Sequence, residues 1–266
     1  MRLGLALPSF VDDPGVPLRV ARAAEDAGLD GVFVYDHLWR DDPPPRRPAL
    51  ECFALAGAVA AETDRIAIGT LVARATLRPP AVLAASFATL RRVSGGRVVA
   101  GIGAGDSESR AENEAFGLGA GTVAERVGAL RAAVEACRGQ GHPVWVGGHD
   151  PRVHRVVALA DGWNGWGGDA AAFAREAARV REVAPAATLT WGGLVLVGRD
   201  DAEAAEKARR LRPSPGVVVG GPESVAEALR RYRDAGAQWS VLAPLDASDP
   251  ANARVLGALV RPLLDR

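Results

Sequence analysis

The chain has 266 residues, with 32 basic and 32 acidic side chains and a formal net charge of zero at pH 7. Its basic residues are scattered along helix-like stretches, which argues against nucleic acid or an anionic membrane as partner. Cys52 and Cys137 are the only cysteines and have no metal-type spacing, so neither a disulfide framework nor a metal site is implied, and both are expected as buried thiols in a reducing compartment. The opening MRLGLALPSF is broken at Pro8 too early for a signal peptide, and no apolar run approaches membrane-spanning length. A cytoplasmic protein with one domain over residues 1–266 is expected.

Taken in order, residues 2–7 read as a first strand and 8–17 as a loop. A helix follows with Val16, Val20, Ala23, Ala24 and Ala27 on one face and Gly28 as a left-handed cap. GVFVYD at 31–36 is a second strand, and the order then repeats: helix 50–63, strand 66–72, helix 79–93, strand 98–102. A charged segment with Asp106, Glu108, Arg110, Glu112 and Glu114 lacks the apolar face of a packed helix and leads to a helix over 123–137. PVWVG at 143–147 is a fifth strand. It enters Gly147, Gly148 and His149, then a helix start with Asp150 as cap and Pro151 in its first turn. A glycine turn before a helix presents backbone N–H groups and a positive dipole end, which suits a phosphate, and the same pattern equally suits a plain tight turn. Strands at 160–165, 188–197 and 238–243 follow, with helices at 170–183, 202–211, 223–235 and 252–264.

Glu25-Asp26-Ala27-Gly28 before GVFV is echoed by Arg233-Asp234-Ala235-Gly236 before WSVL, each a helix end, a glycine cap and a buried strand. Eight strands alternating with helices predict an α/β fold closed into a (β/α)8 TIM barrel, with an open doubly wound sheet as the alternative. In a barrel, function lies on the loops after the strand C-termini. Those positions hold Pro8-Ser9-Phe10, Asp36-His37-Leu38-Trp39, Thr70-Leu71-Val72, Gly103 to Asp106, Gly147 to His149, and Trp163 to Trp166.

His37 is the first choice for proton exchange, and a histidine anchored by Asp36 at a strand end is the plainer alternative. Asp106 and Glu108 are acid or base candidates in a segment that otherwise reads as solvated. Trp39, Trp163 and Trp166 suit the flank of a flat ring or simple packing. The glycines at 101, 103 and 105 match a dinucleotide fingerprint only loosely, and no nucleophile elbow, HExxH or Walker loop is present.

DHLW after strand two, IGTLVARATLRPPAVLAASFATLRRVSGGRVVAGIGAGD across strands three and four, PVWVGG followed by ALADGWN, and GGPESVAEALRRYRDAGAQWSVL together resemble the luciferase-like monooxygenases, especially the branch that uses coenzyme F420. The resemblance implies a barrel that binds a flavin or deazaflavin at its rim. It places the phosphate or its tail at the turns after strands four and five, on Gly105, Gly147, Gly148 and His149, and puts Gly103 in the cofactor set. His37 then faces the ring with Asp36 beside it, and Thr70, Leu71 and Val72 form a supporting bulge with a cis peptide at Leu71–Val72. Trp163 and Asn164 complete the cofactor set, and Asp106 falls near the substrate.

The implied activity is hydride transfer between F420 and a small organic substrate, with His37 and Asp106 handling protons. The alternatives are an FMN-dependent monooxygenase and a flavin- or deazaflavin-binding protein without turnover. The segment CRGQGHP before strand five is much shorter than the family's usual insertion there, which leaves a more open pocket or one covered by a partner. The resemblance tilts the expectation toward a homodimer.

Overall fold

The structure is a computed structural model that describes residues 1–40, 47–106, 109–119 and 121–264. Eight parallel strands form its centre: β1 (Arg2–Ala6), β2 (Gly31–Val34), β3 (Ala67–Thr70), β4 (Val98–Gly103), β5 (Val144–Gly147), β6 (Gly162–Trp166), β7 (Thr188–Val197) and β8 (Trp239–Pro244). Each pairs with the next, and β8 returns to β1 with Ser240 opposite Leu3, so the sheet closes. This is the (β/α)8 barrel.

Helices α1 (Gly15–Asp26), α2 (Cys52–Glu62), α3 (Pro80–Val93), α4 (Arg110–Ala115), α5 (Val123–Cys137), α6 (Pro151–Val157), α7 (Ala170–Val183), α8 (Asp201–Leu211) and α9 (Pro222–Asp234) surround it. Local chemistry sets their starts. Glu51, Asp150, Asp169 and Asp200 cap their helices with side-chain oxygens, and Thr122 and Glu125 close a reciprocal capping box. Each such cap stabilises by about 1 kcal/mol.

The echo between the two halves is geometric as well. Ala27 and Ala235 both have φ −77° and ψ −1°. Gly28 and Gly236 follow at φ +75° and +106°, where a side chain would be strained, and Leu29 and Ala237 each bond back to the carbonyl five residues earlier.

Two apolar layers follow from strand alternation. The outward residues, among them Leu3, Leu5, Val32, Val34, Ile68 and Ile102, pack beneath the helices. The barrel interior is filled by Phe33, Leu71, Val99, Trp145, Trp239 and Val241. Phe33 stacks on Trp145 with centroids 5.7 Å apart and meets Trp239 edge-on at 6.1 Å. Its seat exists because Gly4 and Gly69 lack a Cβ, which would lie 2.7 and 2.5 Å from its ring. The barrel is a packed core and not a pore.

Several elements differ from expectation. The third strand ends at Thr70 and resumes at Ala73–Arg74, opposite Ile102 and Gly103 of β4, with a cis peptide between Leu71 and Val72. The sixth strand starts at Gly162, since Asp161 is occupied in bridging to β5: its carboxylate accepts from the Val144 amide at 2.8 Å. A short strand, Val218–Gly220, extends the sheet beyond β7. The charged segment after β4 contains α4. The last helix holds a π-turn over Val255–Val260, where Gly257 lies so close to the Ala27 carbonyl that a Cβ would be 2.1 Å from its oxygen. No helix of the described residues is long and apolar enough to cross a membrane.

Candidate active site at the strand C-terminal rim

The alternation of β2 continues past its end and divides VYDHL between two sides of the wall. Tyr35 meets Trp166 edge-on at 6.3 Å, and His37 lies against Phe10 with centroids 5.9 Å apart. Asp36 is only 2% exposed. Its carboxylate accepts from Arg78 Nη1 at 2.7 Å, from Arg78 Nη2 at 3.0 Å and from the Arg74 amide at 2.9 Å. This forked contact binds the loop after β3 to the end of β2. Arg78 also reaches Glu51, the cap of α2, at 2.6 Å, and lies over the Phe53 ring. Burial alone would lower its pKa, but Asp36 and Glu51 outweigh that and raise it. The buried Cys52 thiol nearby is pushed up by burial and by the Asp36 charge.

Asp36 therefore does not touch the imidazole. The carboxylate that holds His37 is Glu112 of α4, whose Oε2 lies 3.1 Å from Nδ1. Glu112 Oε1 accepts from the amides of Leu38 and Trp39, the latter at 3.3 Å, and pairs with Arg74 Nη2 at 3.1 Å. Arg74 also donates from Nε to the Asp36 carbonyl at 2.7 Å and from Nη1 to Asn113 Oδ1 at 3.0 Å. The Glu112 side chain is 5% exposed and that of His37 is 39% exposed. Burial acts to raise the Glu112 carboxyl, yet the hydrogen bonds from His37 and Leu38 and the charge of Arg74 prevail, and its pKa falls below the ordinary value.

Thr70 is fully buried and its hydroxyl ties β3 to the Gly101 carbonyl at 2.6 Å. Leu71 faces the interior, and Val72 lies where a Cβ on Gly103 or Gly147 would meet its methyls at 2.3 and 2.7 Å. The glycines at the ends of β4 and β5 thus seat the Val72 side chain. Gly105 has φ +70°, and the exposed Asp106 accepts from the Ser109 amide and hydroxyl at 2.9 and 3.0 Å, just ahead of α4. Glu108 lies outside the described residues.

The turn after β5 differs from the free helix start that its sequence suggests. Pro151 has no N–H, Arg152 donates its amide to Asp150 Oδ1, and Val153 and His154 donate to the Asp150 carbonyl, so the first turn of α6 is already satisfied. Asp150 also grips the Arg152 guanidinium at 2.7 and 2.9 Å, which holds its carboxyl down at about 2. The Gly147–Gly148–His149 turn is engaged as well. Gly148 has φ +138°, with its amide directed at the Asn164 carbonyl. His149 is held at both nitrogens, by Glu176 of α7 at 2.7 Å and by the Trp166 carbonyl at 2.8 Å.

Trp163 is fully buried on the helix side, stacked on Phe173, so it cannot flank a ring at the rim; its indole N–H supports the turn through the Gly148 carbonyl at 2.9 Å. Asn164 is tied to Thr190 at 2.8 Å inside the barrel. Trp166 does reach the rim, and Trp39 packs on Phe116 with centroids 5.4 Å apart. Arg74, Arg78, Glu112 and Asn113 join the site without having stood out in the sequence. The two arginines within an otherwise apolar strand-end stretch, VARATLRPP, are the available signal. Glu112 sits in a charged run and carries none. At the opposite end of the barrel a cavity of about 440 Å³ opens between Arg2, Arg65, Trp145 and Trp239, away from the rim where this fold places its chemistry.

An F420-dependent glucose-6-phosphate dehydrogenase of Nakamurella multipartita is 38% identical over 134 residues, 48% of this chain and 36% of that protein. The match spans about a third of the length of such curated relatives. In fold, the chain superposes on an F420-dependent secondary alcohol dehydrogenase in complex with an F420-acetone adduct, with a TM-score of 0.80 at 18% identity over 99% of this chain and 98% of that one. An EDTA monooxygenase from Chelativorans sp. BNC1 gives a TM-score of 0.80 at 16% identity, covering 100% and 93%. The family model described as luciferase-like monooxygenase matches residues 1–216, well over half of the sequence, and the chain belongs to that family.

Proposed function

We propose that the protein is a coenzyme F420-dependent oxidoreductase acting on a small organic substrate, built as one domain over residues 1–266. The observation that carries this reading is the rim after β2 and β3. An imidazole anchored at one nitrogen stands at the same rim as Val72, whose side chain Gly103 and Gly147 seat against the strand ends, and this suits a flat heteroaromatic ring resting on an apolar surface with proton exchange at its edge. The residues present fit such a group. Ser9, at the end of β1 next to Phe10, is fully buried with a hydroxyl that has no partner among the described residues.

When bound, F420 supplies the hydride acceptor or donor. Leu71, Val72 and Gly103 support the ring, Trp166 and Phe10 exclude water from its edge, and the phosphate and the tail beyond it lie against the turns that hold Gly105 and Gly147, Gly148 and His149. His37 takes or returns the proton that accompanies the hydride, and Asp106 stands at the substrate side. The F420-dependent relatives favour the deazaflavin over FMN.

Equilibrium binding of F420 and FMN, in parallel, to wild-type protein, Gly148→Asp and Gly148→Ala tests this. Both variants carry the strain of a side chain at φ +138°, and only the aspartate adds a negative charge beside the phosphate. Selective F420 binding that survives in Gly148→Ala and falls in Gly148→Asp is expected. Preference for FMN would move the activity to a monooxygenase, and binding of neither would remove the cofactor from the reading.

A further inference from the structure

We infer that Glu112 is a positioning residue that fixes which nitrogen of His37 carries the hydrogen. The inference rests on the proposed function only for what the other nitrogen is used for. One oxygen of the Glu112 carboxylate, Oε1, accepts from the amides of Leu38 and Trp39 and lies 3.1 Å from the Arg74 guanidinium as an ion pair. The second, Oε2, is thereby left for His37 Nδ1 at 3.1 Å.

A carboxylate only accepts, so Nδ1 must donate to it. In a neutral ring the hydrogen then resides on Nδ1 and Nε2 carries a bare lone pair. That nitrogen has no hydrogen-bond partner among the described residues, on a ring 39% exposed at the rim. It is the atom able to take a proton from a substrate hydroxyl as a hydride leaves the adjacent carbon.

The two amides and the guanidinium charge around Oε1 make the isosteric amide informative. In Glu112→Gln the amide oxygen must still face Leu38, Trp39 and Arg74, because an NH2 there would oppose two amide hydrogens and a cation. The NH2 is then turned toward His37 Nδ1, which has to accept, and the ring hydrogen moves to Nε2. The loop contacts survive and the bare lone pair is lost. The same logic underlies the loss of activity when the triad aspartate of a serine protease is changed to asparagine, which leaves the geometry intact and the histidine in the wrong tautomer.

The test is the imidazole 15N and carbon-bound proton spectrum of the protein without cofactor, with His37→Asn used to assign the ring among the four histidines. The neutral His37 ring is expected protonated at Nδ1 in wild type and at Nε2 in Glu112→Gln. Turnover in the variant should fall roughly 100-fold with KM changed less than about threefold, since the loss concerns proton transfer and not binding. Inversion of the tautomer upholds the role whether or not F420 proves to be the cofactor. A wild-type ring protonated at Nε2, or the same tautomer in both proteins, overturns it even if F420 turnover is found. The wild-type spectrum alone decides the matter if the variant does not fold.

Discussion

Two histidines follow two barrel strands and each meets a glutamate from a later helix, yet the two pairs are built to opposite ends. After β2, His37 is tied at one nitrogen to Glu112, and Glu112 is itself buried and locked by backbone amides and Arg74. After β5, His149 is tied at both nitrogens, to Glu176 and to the Trp166 carbonyl, on a half-exposed side chain. An imidazole with one free nitrogen can exchange a proton, whereas one held at both ends is a brace for the turn that carries it. The frames differ in the same sense. Asp36 and Arg78 form a buried fork beneath the first pair, and Asp150 and Arg152 form an exposed one beside the second.

The largest expected effect comes from breaking the buried fork. Arg78→Met leaves Asp36, 2% exposed, without the charge that compensates it, and should lower stability by about 3–5 kcal/mol in urea unfolding. The corresponding Arg152→Met breaks a pair that water screens, and its unfolding midpoint should match the wild type. Equal losses in the two variants would mean that the fork beneath His37 is no more structural than the one beside His149.

A smaller effect, read in turnover, separates the histidines themselves. His37→Asn should reduce kcat roughly 100-fold or more, the range of general acid–base catalysis, with the thermal midpoint little changed. His149→Asn should raise the apparent Kd for F420 and leave kcat unchanged, since it loosens a turn that bears on the cofactor equally in ground and transition states. A matching fall in kcat for His149→Asn would erase the distinction between exchanger and brace.

The division between what is legible in the sequence and what is concealed there has a physical basis. Strands and helices alternate with local signatures, so the eight strands, the glycine caps at Gly28 and Gly236 and the rim location of His37 can be read from spacing alone. The cis peptide at Leu71–Val72 is legible only through the family resemblance, because nothing in TLVAR encodes it locally. Glu112 is concealed by its neighbours. In a run of alternating charges it resembles a solvated face, and only the docking of α4 over the end of β2 buries it. Asp36 fails as the partner of His37 for a related reason: adjacent residues after a strand point to opposite sides of the wall, so the nearest carboxylate in sequence is not the nearest in space. The helix dipole at α6 promises more than it delivers, since the same Asp150 that caps the helix also occupies its anion-binding end.

The smallest effect is also the one that distinguishes the two regions by pH. His154 lies beneath the turn after β5, 3% exposed, edge-on to Trp163 at 5.6 Å, and burial lowers its pKa despite Glu176. Its folded value is below the unfolded one of 6.5, so below that pH the unfolded chain binds the proton more readily and stability falls with acidification. Glu112 is likewise depressed, from 4.5, but for an acid this means its contribution is full above 4.5 and is lost only as pH falls through its lower folded value. The turn after β5 should therefore loosen first, over an upper interval that opens as pH falls below 6.5, while the contacts of Glu112 begin to weaken only in a lower interval that opens below 4.5. Urea midpoints measured from pH 7 downward should decline less steeply over the upper interval in His154→Leu than in wild type. Glu112→Gln should leave the upper interval unchanged and flatten the lower one. His142, buried against Phe87 and lowered by burial and by Arg91, adds to the upper interval in both proteins, so the His154 contribution is read as the difference between them. Parallel curves for wild type and His154→Leu would show that burial of this imidazole does not set the acid sensitivity of the β5 turn.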